Sequence, residues 1–167
     1  MALIVTIFVT IELEDLFMKY FVYFSASGNG DFIANFLKEK GFEQIKIETA
    51  KPFGKVNFFR ILKYGFRAMG NKKENIKEVN LELKEYDVVV IGSPIWNDRL
   101  STPINAVLDQ IAFNKETTKF LVYPAGDSAK KVFEQIEKLG FKNKPFVYPN
   151  PLKNQDKVED ILEYLGE

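Results

Sequence analysis

Ser25-Ala26-Ser27-Gly28-Asn29-Gly30 sets hydroxyls among glycines, directly after an apolar run and just ahead of a helical pattern. A loop of that kind between a strand and a helix can gather backbone amides and hydroxyls at the helix's positive end, where a phosphate binds. The glycines permit positive φ and close approach, and Ser25 and Ser27 offer donors that an apolar turn lacks. A plain glycine-rich turn without a ligand fits the same letters. Two other phosphate loops fit worse. No Gly-x-x-x-x-Gly-Lys-[Ser/Thr] string exists, and Ile33 stands where a Gly-x-Gly-x-x-Gly fingerprint needs its third glycine. Glu48 falls at roughly the ribose-binding distance after that loop, a spacing that arises easily by chance.

A second constellation, Gly92-Ser93-Pro94-Ile95-Trp96-Asn97-Asp98-Arg99, ends a β-branched run. The indole of Trp96 offers a large π face that can stack on a flat ring and exclude water, although a lone Trp is often plain core. Other chemistries are excluded by composition. The 167 residues contain no Cys and no His, which removes disulfides, thiolate nucleophiles, hydrolytic triads and most zinc sites. Redox work would need a bound cofactor. Lys and Arg balance Asp and Glu at 23 each, so no global field draws the chain to nucleic acid or a membrane, and neither is expected as a partner.

The elements that must position these loops alternate. Tyr20 to Phe24 form a first strand, Ile33, Phe36 and Leu37 mark a helix stopped by Gly41, and Ile45 and Ile47 alternate as a second strand. Residues 86–92 are continuously apolar after Asp87, as in a strand covered on both faces. Ser101 and Pro103 open a helix, Lys119 to Tyr123 make a fourth strand, and Ala129, Val132, Phe133 and Ile136 mark a helix closed by Gly140. Lys144 to Tyr148 supply a fifth strand, and Val158, Ile161, Leu162 and Leu165 share one face of a last helix. This alternation predicts an α/β fold with a parallel sheet and helices on both faces. Ligands of such sheets sit at the carboxyl ends of the strands, here residues 25–31, 93–99 and 124–128.

The Ser-x-Ser-Gly-Asn loop after the first strand and Gly-Ser-Pro-Ile-Trp after the third resemble the flavodoxin family over residues 18–167. Ala125-Gly126-Asp127 and Pro151-Leu152-Lys153-Asn154 add to the likeness. The resemblance implies a doubly wound five-stranded parallel sheet of order 2-1-3-4-5 that holds FMN at its switch point. It implies that Ser25, Ser27, Gly28, Asn29 and Gly30 cradle the phosphate, that Ser93, Pro94, Ile95, Trp96 and Asn97 run along the isoalloxazine, and that Ala125, Gly126 and Asp127 close its far edge. The family usually has Thr where this chain has Gly30, so one phosphate hydroxyl is missing. Asp31 beside it would repel a dianion unless it points away. The implied role is electron transfer, with an FMN-dependent NAD(P)H:quinone or related reductase as the alternative and a cofactor-free regulatory or interaction domain as a third.

Residues 51–73 hold Lys51, Lys55, Arg60, Lys63, Arg67, Lys72 and Lys73 and no acid. Phe58, Ile61, Leu62, Gly65, Phe66 and Met69 recur at helical spacing, which predicts an amphipathic helix covering the sheet with Arg60, Lys63 and Arg67 on its other face. That face is either solvated or a dock for a redox partner protein or NAD(P)H. Residues 1–17 read as an extension upstream of the domain at 18–167. Their apolar start, Met1 to Ile11, lacks a leading cation and is shorter than a span, so neither a signal peptide nor a membrane segment is predicted and a cytoplasmic location is expected.

Overall fold

The computed structural model describes residues 17–52, 54, 58–126 and 129–167. The extension called at 1–17, apart from residue 17, lies outside the described residues, as do Lys55 and Asp127 and the side chains of Phe58 and Ile61. Six strands form one sheet: β1 (Lys19–Tyr23), β2 (Glu43–Lys46), β3 (Val88–Trp96), β4 (Arg99–Leu100), β5 (Lys119–Pro124) and β6 (Phe146–Val147). The parallel strands lie in the order β2-β1-β3-β5-β6, and β4 pairs with β3 alone, antiparallel. With the short β4 set aside, this is the expected doubly wound order. Register places Phe21 beside Val90 and Ile91 beside Phe120, so the β-branched run occupies the centre.

Five helices complete the described fold: α1 (Asn29–Glu39), α2 (Phe58–Met69), α3 (Thr102–Gln110), α4 (Lys130–Lys138) and α5 (Asp160–Leu165). Alternation along β1 splits the core into two layers. Phe21 and Tyr23 point to the face covered by Ile33, Ala34 and Leu37 of α1 and Ile161 of α5. Val22 points to the face covered by Ile104 and Val107 of α3 and Val132 and Ile136 of α4. Both faces are therefore dry, as a parallel sheet requires.

Three expectations change. The third strand does not stop at Gly92 but continues through buried Ser93 and Pro94 to Trp96, then turns back as β4. The fifth strand shrinks from 144–148 to Phe146–Val147. The helix at 58–69 forms, and of the described residues of its predicted apolar face Gly65 is buried, beside Ala68, while Leu62, Phe66 and Met69 stay exposed. Among the described residues no helix is long and apolar enough to cross a membrane.

Candidate functional site

A cleft of about 610 Å³ opens where β1, β3 and β5 end, between the 25–30 loop, the β3–β4 hairpin, α2 and the segments that follow β5 and β6. That volume lies within the range of small-molecule and cofactor sites, roughly 300–1,000 Å³. Its wall includes Ser27 and Asn29 at one part, Pro94 to Asp98 at another, and Ala125, Gly126, Asn150 and Lys153 across from them.

The 25–30 loop divides its residues between structure and cleft. Gly28 takes φ 88° and its carbonyl accepts the Phe32 amide at 2.9 Å, which starts α1 abruptly. The Ser25 hydroxyl accepts the Asp31 amide at 3.3 Å, which satisfies one free amide of the first turn, although the N-cap itself is Gly28. Ser27 stays exposed on the cleft, with its hydroxyl accepting from Asn29 Nδ2 at 3.3 Å. Asn29 Oδ1 in turn accepts the Leu152 amide at 3.1 Å, tying the loop to the 3-10 turn Pro151–Lys153. That turn brings Lys153 to the same cleft as Ser27.

The departures from the family's loop have physical explanations. Gly30 is buried, and a β carbon there would lie 2.7 Å from the Tyr123 hydroxyl and 3.0 Å from the Phe24 carbonyl. The Tyr123 hydroxyl donates to that carbonyl. A phenol reaching across from β5 therefore fills the space a threonine side chain would need. Burial raises the Tyr123 pKa well above the usual value, so the hydroxyl remains a donor. Asp31 points away from the cleft, paired with Lys46 at 2.6 Å and accepting from the Tyr23 hydroxyl at 3.1 Å. Its charge is met there.

The hairpin end carries the rings. Asn97 and Asp98 form the two-residue link between β3 and β4 with φ of 49° and 62°, positive at both central positions as in a type I′ turn. Asn and Asp tolerate that region better than other side chains. The turn leaves Trp96 half-buried, its ring edge-on to Phe24 at 5.8 Å and tilted against Tyr64 of α2 at 5.4 Å. Asp98 Oδ2 accepts the Lys131 amide at 3.1 Å, near the start of α4. Its Oδ1 is buried without a protein partner, on a residue that borders the cleft. A ligand with an N–H donor would satisfy it.

Of the predicted ligand residues, Ser27, Asn29, Pro94, Ile95, Trp96, Asn97, Ala125 and Gly126 line one cleft. Ser25, Gly28 and Gly30 shape the loop behind it. Ser93 does not reach it: the side chain is fully buried, accepting the Ser101 amide at 3.1 Å and donating to the Pro94 carbonyl at 2.8 Å. Asp127 lies outside the described residues. Glu48 is paired with Lys77, which holds its carboxyl below the usual value, and it is not part of the cleft wall.

Pro124 lines the cleft within the expected 124–128 segment; sequence reasoning missed Tyr64, Tyr123 and Asn150, and placed Arg60 on the helix face away from the sheet although it lines the cleft. Arg67 lies over the Tyr64 ring at 5.8 Å and pairs with Glu74 at 3.0 Å. Lys63 and Arg67 flank a second cavity of about 380 Å³ that shares Tyr64 with the first. The missed signal was the spacing Arg60-x-x-x-Tyr64, one turn apart on the helix, which sets the cation and the ring on the same side. Asn150 announces itself only through Asn-Pro, a turn dipeptide, and its φ of 44° and donation to the Ala125 carbonyl at 2.6 Å join the β5 and β6 loops.

A doubly wound sheet with an open cleft at its switch point defines a cofactor- or nucleotide-binding α/β domain. The family model described as Flavodoxin matches residues 18–142, and the chain belongs to that family. Among solved structures, a flavoprotein from Lactobacillus acidophilus NCFM, crystallised in complex with FMN, aligns at TM-score 0.65 and 20% identity over 83% of this chain and 97% of that one. A proposed flavoprotein from Bacteroides eggerthii DSM 20697 aligns at 0.66 and 19% identity over 90% and 98%. Another from Bacteroides uniformis ATCC 8492 gives 0.65 and 17% over 87% and 97%. Likeness at these identities establishes the shared fold. No curated protein sequence matches the chain.

Proposed function

We propose that this chain holds FMN non-covalently in the 610 Å³ cleft and uses it to transfer electrons. The observation that carries the reading is one cleft joining hydroxyl and cationic groups to an indole and an unpaired buried acceptor. Ser27, Asn29 and Lys153 suit a phosphate, Trp96 suits a flat heteroaromatic ring, and Asp98 Oδ1 suits an imide N–H. FMN carries all three. The FMN complex of the Lactobacillus flavoprotein, on the same fold, supports the choice.

The flavin would supply the redox chemistry. This chain's residues would bind and orient it: Ser27 and Asn29 donate to the phosphate, Lys153 offsets its charge, and Trp96 with Tyr64 shields the ring from water. Among the described residues of the cleft the one carboxylate, Asp98, is held by the Lys131 amide at 3.1 Å, which favours a carrier over a reductase. Arg60 on the cleft and Lys63 and Arg67 beside it suit an anionic reductant, either NAD(P)H or an acidic redox protein.

Titrating the purified protein with FMN, with flavin fluorescence quenching as the signal, tests the central claim. Saturable uptake and a yellow holoprotein are expected, and a protein that stays colourless with added FMN removes the proposal. Holoprotein mixed with NADH, NADPH and a quinone then separates the readings. A carrier oxidises neither nucleotide at a useful rate.

A further inference from the structure

Four large apolar side chains of α2 are turned outward. Leu62, Phe66 and Met69 are 43%, 69% and 53% exposed, and Phe59 on the same side is 80% exposed. At about 100° per residue, positions 62, 66 and 69 fall within a sector of roughly 60°. Lys63 and Arg67 lie next round the helix and Lys72 and Lys73 follow its end; Arg67 is paired with Glu74 at 3.0 Å and Lys73 with Asp109 at 2.6 Å, which leaves Lys63 and Lys72 as the cations the surface offers. Across residues 51–73 there are seven cations and no acid. A helix with large apolar side chains on one exposed flank and only positive charge on the other has the composition of an interfacial helix.

We propose that the outer face of α2 seats the protein on an anionic lipid bilayer, with Leu62, Phe66 and Met69 entering the headgroup boundary and Lys63 and Lys72 meeting lipid phosphates. Charge complementarity selects this occupant. A second copy fits poorly, because two-fold pairing of α2 would set Lys63 against its like with no acid within 51–73 to offset it. A protein partner would have to bring a groove matched to a convex helix, whereas a bilayer conforms to one. The sequence-based expectation of no membrane contact rested on the balance of 23 cations and 23 acids over the whole chain, which a local patch on one helix escapes. Nothing in the proposal depends on FMN.

Vesicle flotation of the full chain tests it, using phosphatidylcholine alone and phosphatidylcholine mixed with phosphatidylglycerol. Partition into the mixed vesicles at low salt is expected, with little into the zwitterionic ones and a marked loss at about 0.5 M salt. Phe66→Ser with Met69→Ser should lower the partition coefficient about tenfold or more. Lys63→Ala and Lys72→Ala should each lower it about fivefold. Far-UV circular dichroism checks that the variants fold, with Leu62→Gln as the alternative if the double variant does not. Three results overturn the proposal. They are no partition into either vesicle, equal partition of wild type and Phe66→Ser/Met69→Ser, which places binding elsewhere in the chain, or a wild-type dimer that the double variant dissolves.

Discussion

Gly30→Ala should destabilise this protein, against the usual preference of helices for alanine. Position 30 is in the first turn of α1, where replacing glycine ordinarily gains up to about 1 kcal/mol. Here the added carbon would lie 2.7 Å from the Tyr123 hydroxyl, 3.0 Å from the Phe24 carbonyl and 3.0 Å from Ser25 Cβ. Two of those contacts are with backbone or a neighbouring loop residue, so relief must come from the phenol. Overpacking of this kind costs about 2 kcal/mol, leaving a net loss of about 1 kcal/mol. Tyr123→Phe alone should cost about 1–2 kcal/mol, since the buried Phe24 carbonyl loses its donor. Combined, the two changes should be less harmful than their sum by about 1 kcal/mol, because the phenol that causes the closest clash is gone. Gly30→Thr should follow the same rule, tolerated only with Tyr123→Phe. Urea unfolding of the four proteins, followed by far-UV circular dichroism, reads each stability. Additivity within about 0.5 kcal/mol, or a Gly30→Ala protein more stable than wild type, would refute the claim that the tyrosine dictates the glycine.

Ser27→Ala should weaken FMN about 10-fold to 100-fold and riboflavin little, since a hydrogen bond to a charged group contributes roughly 1.5–3 kcal/mol; equal weakening of both ligands would show that Ser27 does not meet the phosphate. Asp31→Thr should leave FMN affinity within about twofold and lower stability by at most about 1 kcal/mol, because the carboxylate faces Lys46 and Tyr23; tighter FMN binding in a fluorescence titration counts against that geometry. Asp98→Asn removes a negative charge from the cleft wall and should raise the potential of bound flavin by on the order of 50 mV, read by spectroelectrochemistry, with an unchanged potential showing that the ring is not near it. Burial raises Tyr123 and Tyr23 above the ordinary tyrosine value of 10.0 and pushes Tyr148 up to about 12. The unfolded chain therefore loses these protons first, so stability is full below about pH 10 and falls as pH climbs toward the folded values. Urea midpoints across that window should show the fall, less steep in Tyr148→Phe, and a flat profile would contradict it.

The strands, the helices between them and the two main loops were legible in the sequence for local reasons, whereas the strand order came from the resemblance to the flavodoxin family. Apolar runs of strand length, helical spacing between them and glycine-rich junctions are properties of neighbours along the chain, and they were enough to place Ser27, Asn29, Trp96 and Gly126 at one end of one sheet. Contacts between distant segments were not legible. That Gly30 is required depends on Tyr123, ninety-three positions on in the numbering of the chain. That Ser93 belongs to the core depends on the hairpin bringing Ser101 back over it. Above all, the apolar spacing of α2 announced a helix but not its orientation. Periodicity specifies which residues share a face. Which face turns inward was decided by the tertiary structure, where Gly65 and Ala68 allow close approach to the sheet and Tyr64 finds Trp96, so that the larger apolar side chains are left at the surface.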